Sequence, residues 1–364
     1  MVKFLCVCGA RPNFIKIAPI MDALARADGV ETRLVHTGQH YDHQMSRLFF
    51  DELQIPRPDV NLDVGSGSHA AQTAEILKRF EPVCQDYQPD WVVVVGDVNG
   101  TMACALATSK LGVKLAHVEA GLRSFDRTMP EEINRIVTDA VSDALFVTEP
   151  SGVENLQREG VANGKVHLVG NVMVDTLIRH RTRAAGSAIW SELGIHEKQY
   201  ALVTLHRPSN VDDPAVFGSI LDALEAIGAD WPVIYPCHPR ARENLARLGL
   251  STRVESIANL RLIEPLGYLD FLKLMDGAAV VLTDSGGIQE ETTVLGVPCL
   301  TLRENTERPI TLTLGTNRLV GCTTERILSA YGDLRRDPPR GGVVPDLWDG
   351  RTAERIVACL LRNG

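Results

Sequence analysis

Short apolar, β-rich runs alternate along the chain with longer stretches whose apolar residues recur every three or four positions. Eleven runs predict strands, at residues 3–8, 32–37, 91–95, 115–118, 144–147, 166–168, 200–204, 233–236, 261–263, 280–283 and 299–302. Helical spacing marks 19–27, 70–87, 216–227 and 352–361. The strand runs are apolar at successive positions, so both faces need cover, and the βαβα alternation calls for parallel sheets flanked by helices. Eleven strands are too many for one tidy doubly wound sheet, and the series divides near Gly170, with a loose stretch at 179–194. The expected fold is α/β, with two Rossmann-like domains facing one another across a cleft. In such sheets the functional loops follow the carboxyl ends of the strands.

Composition narrows the setting. A chain of 364 residues suits two α/β domains, and its longest apolar candidate, 91–95, is a buried strand and no membrane span. The first residues run directly into a strand without the apolar length of a signal peptide, so the expected location is the cytoplasm. A formal net charge of −9 argues against non-specific nucleic-acid binding but leaves room for a local phosphate pocket. Of the eight cysteines only Cys6 and Cys8 are close. One such pair is too few ligands for zinc, so the thiols are expected to be buried and reduced, and no metal is implied.

Candidate chemistry follows the strands. After the first comes GARPNFIK at 9–16, where a glycine turn, Arg11 and Lys16 at a helix onset suit a phosphate or carboxylate, or else form an exposed turn with solvated charges. The G-x-G-x-x-G spacing of a dinucleotide site is absent. Asp97 follows the strand 91–95, either as an acid at the sheet's rim or as the N-cap of a helix from Thr101. Glu119 ends the next strand, ahead of Gly121 and Arg123. Two carboxylates in one sheltered site push their pKa values apart, giving one acid and one base. Beyond them, Pro130 opens a helix whose first-turn acids, Glu131 and Glu132, complement its dipole. On its wheel Ile133, Ile136, Val137 and Ala140 face one way, and Glu131 and Arg135 the other. Glu131 is thus expected to converge with Asp97 and Glu119.

In the second half, His206-Arg207 and His238-Pro239-Arg240 follow successive strands, each histidine near an arginine, as in an anion site. The run LTDSGGIQEE at 282–291 ends a strand in Ser285, Gly286 and Gly287, whose amides open a helix and can cradle a diphosphate. A Glu one helical turn further in could hold ribose hydroxyls. The G-x-S-x-G elbow of a serine hydrolase is missing.

These segments resemble the non-hydrolysing UDP-N-acetylglucosamine 2-epimerases along essentially the whole chain. The matches run in family order: 9–16, Gln39-His40, Gly96-Asp97, HVEAGLR at 117–123, PEEINR at 130–135, Gly170-Asn171, His206-Arg207, 282–291 and TERP at 306–309. The resemblance implies the glycosyltransferase-B arrangement. Its first domain would span 1–170 together with a final helix, 351–364, and its UDP-binding domain 171–350. It implies Asp97, Glu119 and Glu131 as catalytic acids and His206 near the leaving diphosphate. Arg11, Lys16, Arg135 and His238 would contact substrate, residues 285–287 the diphosphate, and Glu291 the ribose. The implied reaction removes the C2 proton of a UDP-sugar, expels UDP to leave a bound glycal, and adds UDP back after protonation from the other face. It needs no cofactor. A homodimer is implied, without nucleic acid or membrane.

The chain departs from the family pattern in three places. Pro208-Ser209 stand where many bacterial members carry Arg-Glu, beside residues that serve activation by a second UDP-sugar, so that activation is not expected to be strict. The segment Ser124-Phe125-Asp126-Arg127 is shortened, as in the branch acting on decorated sugars such as UDP-2,3-diacetamido-glucuronic acid. Asp97 is followed by Val98-Asn99-Gly100 in place of a threonine run. A glycosyltransferase of the same fold would have no need of the acidic trio, and intact acids argue against a non-catalytic binding protein.

Overall fold

The computed structural model describes residues 1–38, 43–237, 239–337 and 341–362, with every side chain except those of Arg11, residues 43–47 and Arg240. The chain forms two compact units, Met1–Arg179 with Asp346–Gly364, and His180–Pro345. The first holds strands β1 (Val2–Cys8), β2 (Val30–His36), β3 (Val60–Asn61), β4 (Trp91–Val95), β5 (Lys114–Ala120), β6 (Ala144–Val147) and β7 (Val166–Leu168). They form one parallel sheet in the order β3-β2-β1-β4-β5-β6-β7. The second holds β8 (Ala201–Thr204), β9 (Val233–Pro236), β10 (Leu260–Ile263), β11 (Val280–Thr283), β12 (Cys299–Thr301) and β13 (Asn317–Leu319). Its parallel order is β10-β9-β8-β11-β12-β13. Each sheet reverses direction once, between β1 and β4 and between β8 and β11, which are the switch points where such sheets bind ligands.

The central strands are buried at every position, as their unbroken apolar runs require. Each fully buried Val or Leu contributes about 1.5–3 kcal/mol, so the strands carry stability and leave the loops at their ends open to polar residues. The helix His69–Tyr87 shows how the cover forms. Ser68 Oγ accepts the Ala71 amide at its start, Ile76, Phe80, Cys84 and Tyr87 make its buried stripe, and Gln88 ends it in a left-handed cap. All cysteines except Cys322 are buried, and desolvation pushes the Cys6 thiol up to about 12. Among the described residues no helix is long and apolar enough to cross a membrane.

Two edge strands, β3 and β13, were not expected; each holds a single apolar residue, Val60 and Leu319, so neither offers an apolar run to read. The first helix runs Arg11–Ala25, not 19–27: Pro12 sits in its first turn and Pro19 is carried inside it. The unit boundaries fall within the helix Val172–Ala185 and before Asp346, away from Gly170 and Gly350, because both segments are fastened to the first unit. Gly170, at φ 92°, has no room for a Cβ, which would lie within 2.1 Å of the Leu347 carbonyl oxygen. Asp175 accepts the amides of Thr352 at 3.1 Å and Ala353 at 2.7 Å, capping the helix Thr352–Arg362 from another part of the chain.

Candidate active site

At the first switch point Asn13 joins β1 to β4. Its Oδ1 accepts the amides of Gly9 and Ala10, and its Nδ2 donates to the Val95 carbonyl at 2.9 Å. One turn further along the helix, Lys16 is 3 % exposed and places Nζ 2.6 Å from Oε2 of the equally buried Glu119. Gly96, at φ 67°, makes this passage possible, since a Cβ there would come within 2.9 Å of Lys16 Nζ.

Glu119 itself is held at φ 73°, in the left-handed region that costs a non-glycine residue about 1–3 kcal/mol. The register of β5 against β6 slips between Val118 and Ala120, so Glu119 occupies a bulge that re-aims its side chain. Asp139 holds the bulge on both flanks. Its Oδ1 lies 2.6 Å from His117 Nδ1, and its Oδ2 accepts from the Gly121 amide at 3.1 Å and pairs with Arg123 at 2.7 Å. His117 Nε2 in turn donates to the Gly96 carbonyl at 2.9 Å, and Arg123 continues to Glu159. Burial pushes the Asp139 carboxyl up, but His117 and Arg123 outweigh it and hold the group below the usual carboxylate range.

Asp97 stands on the loop after β4 with Oδ2 2.5 Å from Arg135 Nη1. The adjoining helix, Asn99–Lys110, begins at Val98 without a side-chain cap, so Asp97 does not serve as its cap. Arg135 also pairs with Glu132, at 2.7 Å. Glu132 further accepts from Ser124 N and Oγ and from Phe125 N, which pins the start of the segment Ser124-Phe125-Asp126-Arg127 and leaves Phe125 exposed. Burial raises Glu132, yet Arg135 and these amides bring it below its ordinary value.

The helix Pro130–Val141 is turned differently from its expected wheel. It buries Glu132, Asn134, Arg135, Thr138 and Asp139, while Ile133, Ile136 and Val137 are only half-buried. The ion pairs to Asp97 and His117 satisfy that polar face, which is what lets it pack inward. Glu131 is half-buried and makes no hydrogen bond or ion pair among the described residues. The expected pairing of Glu131 with Arg135 on one face is therefore replaced by Glu132 with Arg135. Asp97 and Glu119 stand at the ends of adjacent strands, and among the described residues Glu131 is tied to neither.

In the second unit Ser285 is the N-cap of the helix Gly286–Leu295, and its hydroxyl makes no cap bond. The first-turn amides are thus not spent on that side chain, the arrangement that receives an anion. Gly286 has a further reason to be glycine: a Cβ would approach Arg308 Nη1 to 2.5 Å and Glu307 Oε1 to 2.7 Å. Arg308 lies in a buried network with Glu290 and Glu307, and Glu307 also holds Arg303. Beside it, His206 Nδ1 stands 2.8 Å from Asp284. Glu291 is buried against the Tyr268 hydroxyl at 3.1 Å, and desolvation pushes its carboxyl up to about 7. His238, Gln39 and His40 and the Arg11 side chain lie outside the described residues.

Sequence reasoning missed Asp139, Glu132 and Asp284 as parts of this apparatus. Asp284 stands inside the Thr-Asp-Ser-Gly-Gly run and was within reach; Asp139 lies one turn beyond Arg135 on the same helix face, which could have pointed to it.

The chain matches the family model described as UDP-N-acetylglucosamine 2-epimerase over residues 22–361. A UDP-N-acetylglucosamine 2-epimerase homolog of Methanococcus maripaludis is 46 % identical over 90 % of this chain and 91 % of its own. The UDP-2,3-diacetamido-2,3-dideoxy-D-glucuronate 2-epimerase of Pseudomonas aeruginosa is 43 % identical over 90 % and 91 %. The crystal structure of Methanocaldococcus jannaschii UDP-GlcNAc 2-epimerase in complex with UDP-GlcNAc and UDP superimposes with a TM-score of 0.94 at 41 % identity, over 99 % of this chain and all of that one. With its two parallel sheets and strand-end acids built as described, the chain belongs to the UDP-N-acetylglucosamine 2-epimerase family.

Proposed function

We propose that the protein interconverts UDP-GlcNAc and UDP-ManNAc by inverting C2. The observation that carries this reading is the buried Glu119, strained onto a bulge and set beside Lys16, with Asp97 on the next strand end. A carboxylate takes the C2 proton; the C2–H electron pair forms the C1=C2 bond of a glycal, and the C1–O bond breaks with its pair leaving on UDP. Protonation of C2 from the opposite face and return of the UDP oxygen to C1 complete the inversion. Asp97, Glu119 and Glu131 supply the acid and base groups, and Lys16 and Arg135 set charge around them. In the second unit residues 285–287 receive the diphosphate, His206 meets its developing charge, and Glu291 accepts from the ribose. Product formed in deuterium oxide should carry deuterium at C2 by NMR; full retention of the original hydrogen would refute the mechanism.

A second reading has its own support. The Pseudomonas aeruginosa relative acts, by its name, on UDP-2,3-diacetamido-2,3-dideoxy-D-glucuronate, and the segment Ser124-Phe125-Asp126-Arg127 resembles that of the branch acting on decorated sugars. Comparing kcat/KM for that sugar and UDP-GlcNAc decides which is the better substrate. Cytoplasmic location and a homodimer belong to the same proposal, and the half-buried row Ile133, Ile136 and Val137 is a surface that a second copy would cover. Light scattering that finds a monomer at working concentration would remove the dimer.

A further inference from the structure

We infer that Asp284 is a positioning residue for the leaving-group histidine, holding His206 by its Nδ1 and fastening it to the turn that receives the diphosphate. This rests on the function proposed above. Asp284 is fully buried, whereas the His206 side chain is 46 % exposed. The carboxylate therefore forms the floor beneath an accessible imidazole. Its Oδ1 stands 2.8 Å from Nδ1. Its Oδ2 accepts the backbone amides of His206 at 3.0 Å and Arg207 at 2.9 Å, and Asn210 Nδ2 at 3.3 Å. One carboxylate thus sets both the path of the loop after β8 and the rotation of the ring it carries.

The link to the phosphate turn is covalent and short. Asp284 immediately precedes Ser285, and its own carbonyl accepts from Arg207 Nε at 2.9 Å. The histidine and the helix N-terminus cannot move apart without breaking these bonds. A carboxylate acceptor at Nδ1 requires a proton there in both charge states of the ring, which makes Nε2 the nitrogen that gains and loses its proton. Nε2 lies on the edge of the ring away from Asp284, so it is the atom placed to donate to a departing phosphate oxygen. The negative charge behind the ring favours its protonated form. Arg207 and Glu307 flank the pair, with 3.7 Å between them, and Arg308 lies beyond Glu307. Buried Tyr235 is pushed well up, and Cys237 and Cys322 are each pushed up to about 11, so none of these titrates between pH 6 and 9.

Nitrogen-15 histidine NMR on the full chain, with the His206 signals assigned through His206→Gln, tests this without turnover. Wild-type His206 should be the Nδ1–H tautomer when neutral; an Nε2–H tautomer overturns the inference. In Asp284→Asn, whose fold is checked by its amide spectrum, the His206 titration midpoint should fall by about one pH unit or more. The kcat at pH 8 should fall about 10-fold or more with KM changed less than about 3-fold, and the deficit should shrink toward pH 6, where the variant's histidine regains its proton. An unchanged midpoint, or a kcat deficit independent of pH, overturns the inference. Absence of wild-type turnover on both UDP-sugars would instead sink the proposed function and leave the tautomer result standing.

Discussion

Lys16 and Glu119 form a buried ion pair, Nζ to Oε2 at 2.6 Å, between the first helix of the first unit and the bulge of its fifth strand. The pair ties the helix after β1 to the end of β5, past the end of β4 where Gly96 leaves the space that it occupies. Burial makes the pair costly to break from one side, because the remaining charge keeps its desolvation penalty.

Lys16→Met should therefore destabilise the fold by about 3–5 kcal/mol in urea unfolding, and Lys16→Met with Glu119→Gln should recover most of that loss. Additive losses in the double variant would mean that the two side chains are not energetically coupled.

The two glutamates nearest the proposed chemistry should separate by stability and not by rate. Glu119→Gln and Glu131→Gln should each lower turnover by about 100-fold or more. Glu119→Gln should also weaken the fold, whereas Glu131, half-buried and unpaired among the described residues, should cost less than about 0.5 kcal/mol. Near-normal turnover of Glu131→Gln would place the acid/base work on Asp97 and Glu119 alone.

Why Glu119 was legible as a site and Asp139 was not follows from range. A carboxylate at the end of an apolar run marks itself in sequence, because parallel strands deliver their ends to one rim. The bulge that turns Glu119 left-handed is tertiary: it depends on Asp139 reaching His117 across 22 residues and Gly121 across 18. Asp284 reaches His206 across 78. The helix Pro130–Val141 misled for the same reason, since its polar face found partners on β5 and on the loop after β4 that no wheel contains. The doubly covered central strands were plain from their unbroken apolar runs, and β3 and β13, with one apolar residue each, were not.

Pro208 opens the short helix Pro208–Val211 directly after His206-Arg207, and its ring removes an amide and fixes the local backbone. A second ligand that relies on another loop shape there should lose its hold. Epimerisation from UDP-ManNAc alone should proceed without a lag, and a trace of UDP-GlcNAc should not speed it. A lag abolished by that trace would show that the loop still serves an activator.

Glu291 should give the fold a pH dependence of its own. Its carboxyl rises from an ordinary 4.5 to about 7 because burial penalises the charged form, and the Tyr268 hydroxyl only partly offsets this. Between those values the folded chain holds a proton that the unfolded chain has released, so stability must fall as pH rises. The contribution is complete below pH 4.5 and gone once pH has passed 7. A shift of this size corresponds to about 3 kcal/mol at most. Glu291→Gln keeps the shape and an acceptor for Tyr268 but has no proton to lose. Its unfolding free energy should match wild type near pH 5 and exceed it near pH 8, with the wild-type slope between them flattened. Urea unfolding of both proteins across that range measures the difference. If the variant keeps the wild-type slope, the proton belongs to another group, and the carboxylate proposed to hold the ribose is already charged in the empty protein.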